Sequence, residues 1–460
     1  MIKMTNHCSI HLSLLLLTAV LFSCGAKRDK PATSQSLILL EHVRLIDGNG
    51  GAPVEDTRLL IKDGKIAAIG GDIADENVTV INLEGKTVMP ALISAHSHIG
   101  TLKGISTKPE NYTEDNILAQ LKRYESYGVL QIMAMGTDRP LLFETGLRDR
   151  SLKGEIPGAR IHSAGYGFGA PNGAPPLDFA MDKVYRPVTV AQVTAQMDSL
   201  ATLKPDMVKI WVDDFNGKYP AKMQPEIYKA IIKQAHQHNI RVAAHVYYSG
   251  DLKQLVADGV DIIAHSVRSD LIDDATIAQM KAQQVIYIPT LSLDEYAYIY
   301  GQQPEWINNE FFKKSLEPGV YEMISTEKYR NDLKNAPNYA LNMKAFETAQ
   351  QNLLRLFKAG VLIAMGTDSG ATPVRAQGFS EHLELQLMTK AGLTPLEAIT
   401  VATKNAAATL KIQQQYGTLE PGKVADLIIL NGDPVKDIKN TREIFAVYKD
   451  GKEVSKGPLP

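Results

Sequence analysis

Two histidines separated by one serine, His96 and His98, close the apolar run "VMPALISAHSH" at residues 88–98. If that run is a strand, side chains alternate with period two and both imidazoles point the same way. Two imidazoles on one face can begin a metal site once further ligands join them. Alone, a pair of strand-end histidines could equally reach solvent. Related residues recur at comparable places down the chain. Lys209 lies inside "DMVKIWVDD", His245 ends "RVAAHV", His265 ends "DIIAHS", and Asp368 ends "IAMGTD". Four histidines and an aspartate brought together would bind hard or borderline divalent metals without sulfur.

Lys209 raises a separate question, because burying an ammonium amid "MVKIWV" is costly unless it is paired or neutral. One answer is a lysine that snorkels outward or pairs with an acid such as Asp213. The other is a lysine whose amine loses its proton beside cations and adds carbon dioxide to become a carbamate. The two carbamate oxygens could then bridge two divalent ions about 3.5–4 Å apart, the spacing of two-metal sites.

Positioning these residues requires elements whose ends converge. Eight apolar runs fit strands: "ALISAHSH", "VLQIMAM", "ARIHSAG", "MVKIWV", "IRVAAHV", "VDIIAHS", "VIYIPTL" and "VLIAMGTD". Helical stretches such as "PEIYKAIIKQAHQHN" separate them, so the middle of the chain predicts an α/β protein built on a (β/α)8 TIM barrel. An open α/β sheet would show a similar alternation. Strand-and-turn patterns at both ends predict one small β-sandwich assembled from 37–88 and 412–456, around a barrel over 89–411. Two connections are long. One is "GYGFGAPNGAPPLDFAMDKVYRPVT"; the other runs from Asp294 to about Ala349 and carries Tyr296, Tyr298, Tyr300, Trp306, Phe311 and Phe312. Such connections shape pockets on the C-terminal face of a barrel, although the aromatic one also suits a subunit contact or a packed helix pair.

The order HxH, Lys, His, His, Asp resembles the amidohydrolase superfamily, in its subgroup with a binuclear centre and a carboxylated lysine. "MVKIWVDD" and "AHSVR" are most similar to its imidazolonepropionase-like and prolidase-like dipeptidase members. The resemblance implies His96, His98 and Asp368 on one divalent ion, His245 and His265 on the other, and carboxylated Lys209 between them. Zinc is the first expectation, with Mn, Fe or Co acceptable to the same ligands. It further implies a hydroxide between the metals that attacks a carbonyl, with Asp368 acting as base and then acid. Where the family often has "GLID" before HxH, this chain has "ALIS", with Ala91 and Ser94, which bears on the geometry around the ligands.

The expected activity is hydrolysis of an amide bond in a small molecule, with dipeptides or N-acyl amino acids favoured. Arg268 could clamp a substrate carboxylate through a bidentate pair, or form a salt bridge with Asp270 or another neighbour. Tyr247 and Tyr248, just past His245, could line the pocket. Hydrolysis of cyclic amides or lactones uses the same machinery. Deamination ranks lower, since "HVYYSGDLKQ" offers no glutamate after His245 and Lys209 would be superfluous to one metal. A lipoprotein that binds without turnover ranks below catalysis, because every ligand position is filled.

Bulk properties exclude other classes. At 460 residues, 44% hydrophobic, 22% charged and net charge -2, the chain is an ordinary globular protein with no basic surface for nucleic acid. A homo-oligomer is compatible with this composition. Residues 1–23, with an apolar stretch from Leu12 to Phe22, read as a signal peptide. Cys24 follows "LFS" as the lipidated residue of a bacterial lipoprotein would, and 24–36 reads as a tether. The expected location is the cell envelope, with the membrane reached through a lipid anchor at Cys24; plain secretion and an uncleaved anchor are the alternatives. Cys8 and Cys24 are the only cysteines, so the body of the chain holds no disulfide and no thiolate ligand.

Overall fold

In a computed structural model, residues 37–71, 73, 78–177 and 180–458 are described. The leader 1–23, Cys24 and the tether 24–36 lie outside the described residues. Among those described, no helix is long and apolar enough to cross a membrane.

The β-rich ends meet in one sheet of eight strands. The first end contributes Leu37–Leu45, Val54–Lys62, Lys65–Ile69, Thr79–Asn82 and Thr87–Pro90; the second contributes Leu427–Leu430, Ile444–Lys449 and Lys452–Ser455. Their seam is antiparallel, with Leu427 opposite Pro90 and Leu430 opposite Thr87. Period-two patterning sets the inner face: Thr57, Leu59 and Ile61 are buried in turn along one strand. Leu59 and Ile61 join Leu40, Val43, Val88, Leu427 and Ile429 in a core of their own. A bridge from Lys65 to Val424 curls the sheet back toward its C-terminal strands.

Seven of the eight expected central strands form two parallel sheets. Arg160–Ser163, Val129–Ala134 and Leu92–Ser97 pair in that order; Val208–Trp211, Val242–His245, Ile262–Ala264 and Ile286–Ile288 make the second sheet. Each strand is buried along its whole length, as parallel strands covered on both faces must be. Parallel bridges join the sheets at Phe168–Ile210 on one side. On the other, residues 363–369 are bridged to both, at Tyr287–Ile363 and Ser97–Ser369. The outcome is a TIM-barrel-like α/β arrangement.

The expected eighth strand, "VLIAMGTD", is not a regular ladder. The N–H groups of Thr367 and Asp368 both donate to the His96 carbonyl at 3.0 Å, and Asp368 turns to φ 58°. Two donors on one acceptor break the regular spacing of parallel pairing. Helices between the strands bury one stripe each. Pro225–Gln237 turns Ile227, Tyr228, Ile231, Ile232 and Ala235 inward, the spacing of an amphipathic helix.

Candidate metal centre

His96, His98, Lys209, His245, His265 and Asp368 all line one cavity of about 500 Å3. His245 is the last residue of its strand and His265 the first after its own, while Lys209 sits within Val208–Trp211. The four histidines thus stand at or just past the C-terminal ends of their strands, while Lys209 reaches the same cavity from within its strand and Asp368 from the segment 363–369.

They are close. Asp368 Oδ1 lies 2.9 Å from His98 Nε2 and 3.1 Å from His96 Nε2. The His96 and His265 rings are 4.4 Å apart between centroids, as are those of His245 and His265. One ligand atom each from His96, His265 and Asp368 falls within 4.8 Å of the others. Two of the six, His265 at φ 86° and Asp368 at φ 58°, adopt left-handed backbone. Such conformations are costly for these residue types and gather at functional sites.

The donor set suits divalent cations. Both ring nitrogens of His96, Nδ1 of His245 and Nζ of Lys209 are buried without a hydrogen-bond partner; at 3.1 Å the His96–Asp368 contact lacks hydrogen-bond alignment. Buried unpartnered polar atoms are destabilising, and a cation would satisfy several lone pairs together. Burial, then Lys209, pulls the His96 imidazole down to about 3. Burial holds the His245 and His265 imidazoles well below their ordinary value too, reinforced by Lys209 and Arg268 at His245 and by His245 and His96 at His265. Neutral imidazole is the ligating form.

Lys209 is fully buried. Burial lowers its amine to about 7, against the opposing pull of Asp368 and Asp213. Asp213, one partner considered for it, instead accepts the Phe215 N–H at 2.9 Å and stands 3.5 Å from His245 Nε2. Lys209 Nζ lies over the Trp211 ring, 5.3 Å from its centroid. Gly136, just past the strand Val129–Ala134, faces the lysine, and a Cβ there would come within 2.7 Å of Lys209 Cβ.

Around this floor, both long connections supply walls. Pro175, Pro176 and Met181 come from the Gly/Pro-rich one, and Tyr296, Asn338 and Asn342 from the aromatic one. Tyr300, Trp306, Phe312 and Phe379 instead pack on each other in the core. Arg268 and Tyr247 line the cavity, with the guanidinium 4.8 Å from the Tyr247 ring centroid. Arg268 does not pair with Asp270: its Nε lies 3.1 Å from Asp294 Oδ1 and its Nη1 donates to the Ser266 carbonyl at 2.7 Å. Tyr248, expected beside Tyr247, is not in the lining. Its hydroxyl donates to Asp214 at 2.8 Å, and Lys222 covers its ring at 3.9 Å, so the side chain is held elsewhere.

Three neighbours of the site escaped sequence reasoning. Thr137 Oγ1 meets His98 Nδ1 at 2.8 Å, and Thr290 Oγ1 meets His265 Nδ1 at 3.0 Å. Each threonine follows a strand end, in "MGTD" and "IPT", which was the available signal. Arg375 ion-pairs with Asp368 from the loop "DSGATPVRAQG"; a lone cation beyond a candidate ligand carried no periodic pattern to mark it.

The amidohydrolase family matches residues 87–454 of the chain. The ochratoxinase of Aspergillus niger is 26% identical over 474 aligned positions, covering 93% of this chain and 88% of that protein. The imidazolonepropionase of Streptococcus sanguinis is 24% identical, covering 87% and 90%. A crystal structure of a Xaa-Pro dipeptidase with bound methionine in the active site shares the fold, with a TM-score of 0.72 at 24% identity over 91% of this chain and all of that one.

Proposed function

The chain belongs to the amidohydrolase family, and from that premise we propose that it hydrolyses amide bonds of small carboxylate-bearing substrates, dipeptides or N-acyl amino acids, with two divalent metals. The hydrolase class and a divalent-metal requirement are those of the family. The observation that carries the finer reading is the cluster of four histidines, Lys209 and Asp368 on the floor of a cavity that also holds two arginines. The relative named ochratoxinase is in keeping with a hydrolase, and the structural neighbour named as a Xaa-Pro dipeptidase is in keeping with the dipeptide part of that class.

His96, His98 and Asp368 would hold one ion and His245 and His265 the other, with Lys209, as its carbamate, between them. Divalent ions in such a site acidify water near neutral pH and polarise a carbonyl. The chain's own residues do the rest. Asp368, adjacent to both His96 and His98, accepts a proton from the attacking water and returns it to the leaving nitrogen. Burial of the floor excludes bulk water and strengthens each electrostatic contact there. Lys209 has to be a neutral amine to take up carbon dioxide, and the apolar strand around it makes that form accessible.

The test is amine release by the full-length protein loaded with zinc in bicarbonate buffer. Substrates would be dipeptides, N-acyl amino acids, cyclic amides and lactones. Turnover of the first two classes that stops with chelator is expected. Two bound metals with turnover only of lactones or cyclic amides would redirect the substrate class, and turnover that survives complete metal removal would end this reading.

A further inference from the structure

The two arginines of the cavity are not equivalent. Arg268 is built in: Asp294, 3% exposed, balances its charge, the Ser266 carbonyl takes Nη1, and Tyr247 covers its face. Arg375 is a quarter exposed, and the carboxylate of Asp368 is its side-chain partner. That carboxylate also touches His96 and His98 and is the one a metal would claim. Once a cation takes Asp368, Arg375 is left as a guanidinium in the cavity wall with no other ion-pair partner among the described residues, since Asp294, whose carboxyl also feels its charge, is paired with Arg268.

Resting on the amide-hydrolase reading, we infer that Arg375 is the residue that reads the substrate's carboxylate, and that this carboxylate sits on the α-carbon of the leaving amine. The geometry argues for the position. Arg375 touches Asp368, which hands the proton to the leaving nitrogen. An anion paired to Arg375 therefore lies beside that nitrogen, and a guanidinium–carboxylate pair spans only about 2.7–2.9 Å. A carboxylate one carbon from the nitrogen meets this condition; one at the far end of a side chain or on the acyl group does not. The acyl portion is then directed toward Met181, Tyr247, Leu293 and Tyr296, the apolar and aromatic part of the lining. Substrates would be N-acyl α-amino acids or dipeptides with an apolar acyl side.

The inference is tested with N-benzoyl-L-leucine and N-isoamylbenzamide, the same amide without its carboxylate. For the zinc-loaded wild type, kcat/KM should favour the acid strongly. Arg375→Met should raise KM for the acid by about 10- to 100-fold, the range for losing one charge-assisted pair, and so collapse the acid-to-amide preference; because Arg375 also touches Asp368, the ratio of the two substrates and not the turnover of either is the readout. Arg375→Lys should recover part of the loss, which separates recognition from misfolding. Calorimetry supplies a readout apart from turnover: L-leucine should bind the loaded protein more tightly than isoamylamine, and Arg375→Met should erase that difference. An unchanged acid-to-amide preference in Arg375→Met, or equal binding of leucine and isoamylamine by the wild type, overturns the inference. If the wild type cleaves neither amide, the hydrolase reading fails on these substrates, and calorimetry alone then decides the role of Arg375.

Discussion

His265 Nδ1 lies 3.0 Å from Thr290 Oγ1, and both residues stand in left-handed backbone, at φ 86° and 50°. The two strand ends are turned so that a hydroxyl meets one ring nitrogen. With Nδ1–H donating to that hydroxyl, Nε2 keeps its lone pair for a metal. His98 repeats the device through Thr137 at 2.8 Å. Thr290→Val keeps the shape and removes the acceptor, so zinc affinity should fall about 10- to 100-fold, measured by chelator competition. Unchanged affinity would show that the hydroxyl does not set the tautomer.

The pH dependence of stability should carry the signature of Lys209. Its amine sits near 7 in the folded chain, against 10.5 in the unfolded one. Between those values the unfolded state holds a proton that the folded state lacks, so stability rises with pH across this window. Below about 7 both states are protonated and the destabilisation is complete. Lys209→Met, without a titrating group, should flatten the rise. The comparison is of melting temperature against pH for the metal-free proteins in buffers purged of carbon dioxide; parallel profiles would show that Lys209 is not titrating as its burial requires.

Much of this was legible in the sequence because strands and ligands share one signal. An apolar run that ends in histidine marks both the strand and the end at which chemistry gathers, so His96, His98, His245 and His265 were readable, and seven strands formed where runs were expected. Residues 363–369 were harder. Their apolar pattern is that of a strand, while the turn at Asp368 depends on two N–H groups competing for the His96 carbonyl. Arg268 illustrates a different obstacle. Its partner Asp294 lies beyond the helix Asp274–Ala282 and the strand Ile286–Ile288, whereas sequence reasoning weighs close neighbours such as Asp270. Arg375 and Tyr248 were obscure for the same reason, since only tertiary contacts decide what a surface-type side chain faces.

Gly370 is the hinge on which segment 363–369 meets the first strand. It adopts φ 81°, and a Cβ there would collide with the His98 carbonyl oxygen and crowd Gln377 Nε2. Backbone cannot yield as a flexible side chain can, so Gly370→Ala combines left-handed strain with a clash. A loss of about 2–4 kcal/mol is expected, together with weaker zinc binding, because both His98 and Asp368 flank the displaced backbone. Urea unfolding and chelator competition on the same preparation check the two effects. Stability within about 0.5 kcal/mol of the wild type would mean that the loop relaxes freely.

Glu381 explains how the chain tolerates serine at position 94. The carboxylate is fully buried, and its Oε1 accepts from three hydroxyls: Thr367 at 2.7 Å, Ser369 at 2.9 Å and Ser94 at 3.1 Å. Ser97 extends the network by donating to Ser94 at 2.8 Å, and Gly378 N–H donates to Oε2 at 2.9 Å. One helix carboxylate therefore ties the strand carrying His96 to the segment carrying Asp368. Glu381→Ala leaves several buried hydroxyls without their acceptor and should cost about 3–5 kcal/mol. Glu381→Gln keeps an acceptor for the hydroxyls but sets its NH2 against the Gly378 N–H, for a cost of about 1–2 kcal/mol. If the tie also positions ligands, zinc affinity should fall in the same order, with the alanine variant weakest. Urea unfolding of metal-free protein gives the first ranking and chelator competition the second. Equal costs for Ala and Gln would show that the hydroxyls find other acceptors and that Glu381 does not join the two segments energetically.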